Sequence, residues 1–172
     1  MVKTKITHLF CFDDHRTFSE EIRNRFSDTS KYKVLSFSLQ HELLKHLDVE
    51  KEHDFCKVVI LALHETKEQY EMADHLTREI IKTDPATGLI LLCPVDKTDE
   101  IKRLVKFNID AYIPRNDNAI LRTHNAVKKL ISEHSLEIFR KRRNFSIYFL
   151  LAFLCLSAIL ILVARLKMPI YF

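Results

Sequence analysis

The chain has 172 residues, 47% of them hydrophobic and 29% charged, which suffices for one domain of ordinary size and one appended element. Its formal charge of +4 is unevenly placed: residues 140–172 carry Arg140, Lys141, Arg142, Arg143, Arg165 and Lys167 with no acid, leaving 21 basic and 23 acidic residues in 1–139. A mildly acidic body excludes the concentrated basic face of a nucleic-acid binder, and a single glycine, Gly88, excludes the glycine-rich loops that cradle phosphates in P-loop and dinucleotide folds.

Met1 to Lys5 is polar and no long apolar run follows it, so no export signal is expected. Ile6 to Phe12 predicts a first strand that ends at Asp13-Asp14-His15. Phe18, Ile22 and Phe26 recur four apart and predict an amphipathic helix. Tyr32 to Phe37 predicts a second strand, and Leu43, Leu44 and Leu47 the apolar stripe of a second helix.

Val58 to Leu63 is apolar at consecutive positions and rich in β-branched residues, the pattern of a strand covered on both faces at the centre of a parallel sheet. Its exit holds Ala62, Leu63, His64 and Glu65, and ligands of open α/β sheets gather beyond such exits. Tyr70, Ala73, Leu76, Ile80 and Ile81 fit a third helix that stops before Asp84-Pro85, because proline has no amide hydrogen to continue it. Leu89 to Cys93 predicts a fourth strand closed by Pro94. Ile101, Leu104 and Val105 mark a fourth helix, Ala111 to Ile113 a short fifth strand, and Leu121, Val127, Leu130 and Ile131 a fifth helix. Strands alternating with helices in this way predict an α/β fold with a doubly wound parallel sheet.

Asn144 to Ala164 contains no charged residue, and at about 1.5 Å per residue it is long enough to cross the hydrocarbon of a bilayer. Four basic residues precede it, Arg140 to Arg143, and Arg165 and Lys167 follow, a bias that places the folded part in the cytoplasm. The expected organisation is a domain over 1–134, a basic juxtamembrane helix or linker over 135–143, a transmembrane helix over 144–166 and a short tail across the membrane over 167–172. The basic cluster serves as a stop signal or holds anionic lipid; the sequence leaves both open.

Cys11, Cys56, Cys93 and Cys155 lack the spacing of a zinc or redox motif and are expected to be small buried hydrophobes in a reducing compartment. No histidine pair falls on one helical face, so the nine histidines are expected to be surface or satisfied groups.

With these elements placed, residues 6 to about 134 resemble the receiver domain of bacterial response regulators. Phe12-Asp13-Asp14-His15 is similar to that family's acidic pair, Val58 to Glu65 to the strand that ends in the phosphate-accepting aspartate, and Leu91-Leu92-Cys93-Pro94 to the strand that ends in threonine or serine. Ile109 to Arg115 resembles the family's alanine, tyrosine, then lysine-proline run, with Tyr112 kept, Arg115 for the lysine and Asn116 for the proline. The resemblance implies a five-stranded sheet of order 2-1-3-4-5. It also puts Ala62 at the acceptor position and Cys93, Tyr112 and Arg115 at switch-like positions, and it leaves Asp13 and Asp14 as a vestigial acidic pair.

Alanine supplies no nucleophile, and removing one carboxylate weakens a magnesium site, so no cofactor is expected beyond a weak magnesium ion on Asp13 and Asp14. Glu65 could swing in as a further ligand. The expected function is a single-pass inner-membrane pseudo-receiver, not an enzyme, that acts through protein contacts in phosphorelay-type signalling. Its partner would be a histidine kinase or another signalling protein, met through the segment from about Thr98 to His134; the oligomeric state is left open. The alternatives are a receiver with a displaced acidic acceptor, Asp13, Asp14 or Glu65, and a membrane assembly or scaffold protein.

Overall fold

The computed structural model describes residues 6–13, 17–64, 66–105 and 108–167. The chain divides into two units, Met1–Ile131 and Ser132–Phe172. In the first unit the elements alternate in chain order: β1 (Thr7–Phe12), α1 (Thr17–Arg25), β2 (Tyr32–Phe37), α2 (Gln40–Glu50), β3 (Lys57–Ala62), α3 (Lys67–Thr83), β4 (Gly88–Cys93), α4 (Thr98–Leu104) and β5 (Ala111–Pro114). The long helix α5 (Ala119–Lys167) opens in this unit. A single 3-10 turn, Val95–Lys97, enters α4 directly after Pro94 and had no signal in the sequence pattern.

The five strands form one parallel sheet of order β2-β1-β3-β4-β5. β1, β3 and β4 are buried at every residue, whereas the edge strand β2 is only half covered. Successive side chains of a strand point to opposite faces, and each inner strand supplies both cores. Phe10, Phe12, Val59, Leu61, Leu89 and Leu91 meet Leu43, Leu47, Tyr70, Leu76, Ile80 and Ile101 of α2, α3 and α4. Leu9, Cys11, Val58, Ile60, Ile90 and Leu92 meet Phe18 and Ile22 of α1 and Val127 and Leu130 of α5 on the other side. The one glycine has a steric reason: a Cβ on Gly88 would lie 2.7 Å from Leu130 Cδ1, so α5 packs this closely on β4 only over a bare backbone.

Some positions differ from the pattern read in the sequence. Ile6 lies outside β1 and is exposed, and Leu104 and Leu121 point outward while Ile101, Val105 and Val127 carry the burial. Apolar residues scattered singly on a surface are ordinary, and stripes of three or four residues give too little periodicity to separate the two faces.

The amino-terminal end of the sheet holds a polar cluster. Glu50, the last residue of α2, has one carboxylate oxygen 2.7 Å from His8 Nδ1 of β1, and the other 3.2 Å from His46 Nε2 and 3.7 Å from Lys33 Nζ. Lys57, which opens β3, donates from Nζ to Asp84 Oδ2 at 2.6 Å and to the Glu50 carbonyl at 2.8 Å. Phe55 stacks on His8 with ring centroids 3.9 Å apart. Of these groups His8, Glu50, Lys57 and Asp84 are buried, and each has an opposite charge or dipole in contact, which is what keeps such burial tolerable.

In the second unit α5 continues to Lys167, and the large apolar residues from Phe145 to Leu162 are 48–72% exposed. This segment is long and apolar enough to cross a membrane. The expected linker over 135–143 is helical. Cys155 is exposed on this segment, which corrects the expectation that all four cysteines are buried; Cys11, Cys56 and Cys93 are. The tail from 168 onward lies outside the described residues.

Burial holds the His8 imidazole below its ordinary value of 6.5, outweighing the Glu50 carboxylate that pulls it up. The unfolded chain therefore takes up that proton first on acidification. The His8 contribution to stability is complete above pH 6.5 and is lost as the pH falls from there through the lowered folded value. Urea unfolding midpoints should fall between about pH 7.5 and about pH 5.5, and the fall should be smaller in His8→Gln, which keeps a polar group facing Glu50 but does not titrate.

Candidate functional site

Parallel strands deliver their carboxyl ends to one edge, and the register shows which residues meet there. Phe12 pairs with Leu61, so Asp13 and Ala62 follow side by side at the ends of β1 and β3. Ala62 in turn pairs with Leu92, and Cys93 with Pro114, which brings in Cys93 and Arg115 from β4 and β5. Asp13, Ala62, Cys93 and Arg115 thus stand at one end of the sheet.

Ala62 is buried and its methyl group packs with Cys11, Phe18 and Ala119 in the core between the sheet, α1 and α5. Asp13 beside it is 1% exposed. Its amide donates to the Phe37 carbonyl at 3.3 Å, and its Oδ2 accepts from the Phe18 amide at 2.9 Å, capping the first turn of α1. Its Oδ1 lies 3.7 Å from His64 Nε2. The same imidazole presents Nδ1 to Arg115 Nη1 at 3.4 Å.

Asp13, His64 and Arg115 therefore form a chain across the ends of β1, β3 and β5. Each member is fixed through its backbone as well. The His64 amide donates to Gln69 Oε1 at 2.9 Å, and the Arg115 amide donates to the Cys93 carbonyl at 2.8 Å. A guanidinium can only donate, so His64 Nδ1 is the acceptor and the ring proton of the neutral tautomer sits on Nε2, toward Asp13.

The sequence places His64 at the exit of the third strand but gives it no role apart from the other histidines. It stands two positions beyond Ala62 at the same strand exit, but nothing in the spacing of nine scattered histidines distinguishes it. Its partners lie 51 residues away at each side, and only the sheet order brings them into reach.

Cys93 and Tyr112 belong to the opposite core. Cys93 is fully buried among the α2, α3 and α4 contacts, and burial pushes its thiol up to about 12, so it is not an anionic nucleophile near neutral pH. Tyr112 packs against the same core and its hydroxyl donates to the Val105 carbonyl, tying β5 to the end of α4. Burial raises the phenol, with Cys93 adding to the effect.

Magnesium, which the fold implies, is a poor match to the described residues. It requires several oxygens in octahedral array. Asp13 offers one carboxylate at this edge, with Glu20 and Glu42 lining the same cavity; Ala62 offers no oxygen, and Asp13 Oδ2 already accepts from the Phe18 amide. Asp14 and Glu65 lie outside the described residues, and no group of three His, Cys, Asp or Glu side chains converges among the described ones. In the second unit Arg140 and Arg143 are exposed on α5; the side chains of Lys141 and Arg142 lie outside the described residues.

No protein-family model matches the chain, and no curated protein matches it. Solved structures do. A response regulator receiver domain protein from Clostridium thermocellum superposes with a TM-score of 0.61 at 21% identity, covering 76% of this chain and 98% of its own. A response regulator from Thermotoga maritima gives 0.56 at 23% identity, covering 74% and 98%, and a CheY-like protein from Pseudomonas aeruginosa gives 0.52 at 14%, covering 73% and 93%. At such identities the likeness establishes the fold: the first unit is a receiver-like α/β domain.

Asp13→Ala should destabilise the protein by about 1–2 kcal/mol in urea unfolding, because the Phe18 amide loses its cap. Asp13→Asn should retain most of that stability, since its side-chain oxygen still accepts from the same amide.

Proposed function

We propose that this protein is a receiver-like signalling module, tethered to a membrane by its last helix, that takes no phosphoryl group on an aspartate and acts by protein contact. One observation carries the reading: a buried methyl group, Ala62, occupies the strand end beside Asp13 where receivers hold their acceptor. A carboxylate nucleophile in line with the donor phosphorus is what aspartyl phosphorylation needs. Asp13 is a poor substitute, being 1% exposed with its Oδ2 held by the Phe18 amide.

The module is an adaptor and not an enzyme, without a cofactor and without nucleic-acid contacts. Its partner is a histidine kinase or another signalling protein, and the contact face is that of α4 and β5, where Leu104 stands exposed. Exposed apolar side chains from Phe145 to Leu162, directly after Arg140 to Arg143, support a bilayer as the environment of α5, with the receiver-like unit on the cytoplasmic side of the inner membrane.

Incubation with acetyl phosphate and magnesium, followed by intact-mass measurement, should show no hydroxylamine-labile phosphoryl adduct; an adduct that hydroxylamine removes would overturn the reading. Membranes washed with alkaline carbonate should retain the full chain and release a variant in which Leu151, Leu154 and Leu160 are replaced by Lys, because each central charge costs about 3 kcal/mol on insertion.

A further inference from the structure

The carboxyl edge of the sheet still holds a nucleophile that the adaptor reading does not use. We infer that His64 is a phosphoryl-accepting histidine, oriented by Asp13 and flanked by Arg115, that takes its phosphoryl group from a phosphoramidate-type donor. This goes beyond the adaptor reading and is independent of whether α5 enters a bilayer.

Three features of the site support the assignment. The first is activation: His64 Nε2 faces the buried Asp13 carboxylate at 3.7 Å, a separation that favours the ring proton on that nitrogen and the lone pair on Nδ1, toward Arg115. The second is charge: Arg115 Nη1 lies 3.4 Å from Nδ1, the atom on which a phosphoryl group would be seated, and a planar guanidinium suits phosphoryl oxygens. The third is access, since the His64 side chain is 24% exposed while that of Asp13 is 1% exposed. A donor can reach the histidine and not the aspartate behind it.

In the step, the Nδ1 lone pair attacks phosphorus, the Nδ1–P bond forms and the donor's P–N bond breaks. The donor nitrogen, already protonated, leaves as a neutral amine with the bonding pair. The ring becomes cationic, a charge that the Asp13 carboxylate 3.7 Å from Nε2 offsets, and the ring then releases one proton to solvent. Arg115 swings from Nδ1 to the new phosphoryl oxygens. The product is a phosphoramidate, chemically distinct from the acyl phosphate of an aspartate.

The test is incubation of the full chain, in detergent micelles, with phosphoramidate in magnesium-free buffer, read by intact mass and by peptide mapping at alkaline pH. The expected result is one phosphoryl group on His64 that resists hydroxylamine. It should form at least about tenfold faster than on His41 or His75, which are exposed on helices and serve as internal controls. His64→Asn should abolish it, and Arg115→Ala should slow it about tenfold, with Arg115→Lys recovering part of the rate. Absence of an adduct, an adduct that survives in His64→Asn, or equal labelling of His41, His75 and His64 would overturn the assignment. A hydroxylamine-labile adduct would instead count against the adaptor reading, so the two fail separately.

Discussion

A sheet whose three inner strands are apolar on both faces can place polar chemistry only at its two ends. β1, β3 and β4 are buried at all positions, and within them the polar side chains stand at the start: Thr7, His8 and Lys57. The amino end closes the structure. Glu50 gathers one basic group from each of β1, β2 and α2, and Lys57 joins the start of β3 to the end of α3 through Asp84. Removing one member of a buried pair leaves the other charge without compensation, so this end tolerates little change. The carboxyl end, opposite, is where side chains remain available for chemistry.

At that end, Ala62 changes the electrostatics of its neighbours. With a methyl group at the β3 terminus, Asp13 has no second carboxylate beside it from that position, and its negative charge is met by the Phe18 amide on one oxygen and His64 on the other. Arg115 reaches the imidazole from the far side. A buried carboxylate must find donors. Here it finds a helix amide and a ring nitrogen, which are not the ligands or neighbours that suit a hydrated magnesium ion. The strand ends thus set a histidine between an acidic and a basic side chain.

The long periodic elements were legible because burial on one or both faces leaves a pattern in the chain. Phe18, Ile22 and Phe26, the run Val58 to Leu63, and the stripe Tyr70, Ala73, Leu76 and Ile80 all occupy the core. The resemblance to receivers, carried by Asp13, Tyr112 and the order of elements, implied the strand order that the sheet has. Where a stripe had only three members, as at Ile101, Leu104 and Val105, one of them proved exposed. Cys155 was grouped with the buried cysteines because an apolar neighbourhood in sequence does not say whether protein or something else will cover it.

By itself the sequence determined the alternation of strands and helices, the apolar exit of the third strand at Ala62 and the uncharged stretch from 144 to 164, since each is written in composition or spacing along a continuous segment. Only the tertiary structure decided which polar residues would share an end of the sheet. Asp13, His64 and Arg115 follow three different strands, and Glu50 meets His8 across 42 residues. Hydrophobic periodicity records which face of an element is buried, but it holds no information on which distant strand end lies next to it; strand order and register supply that.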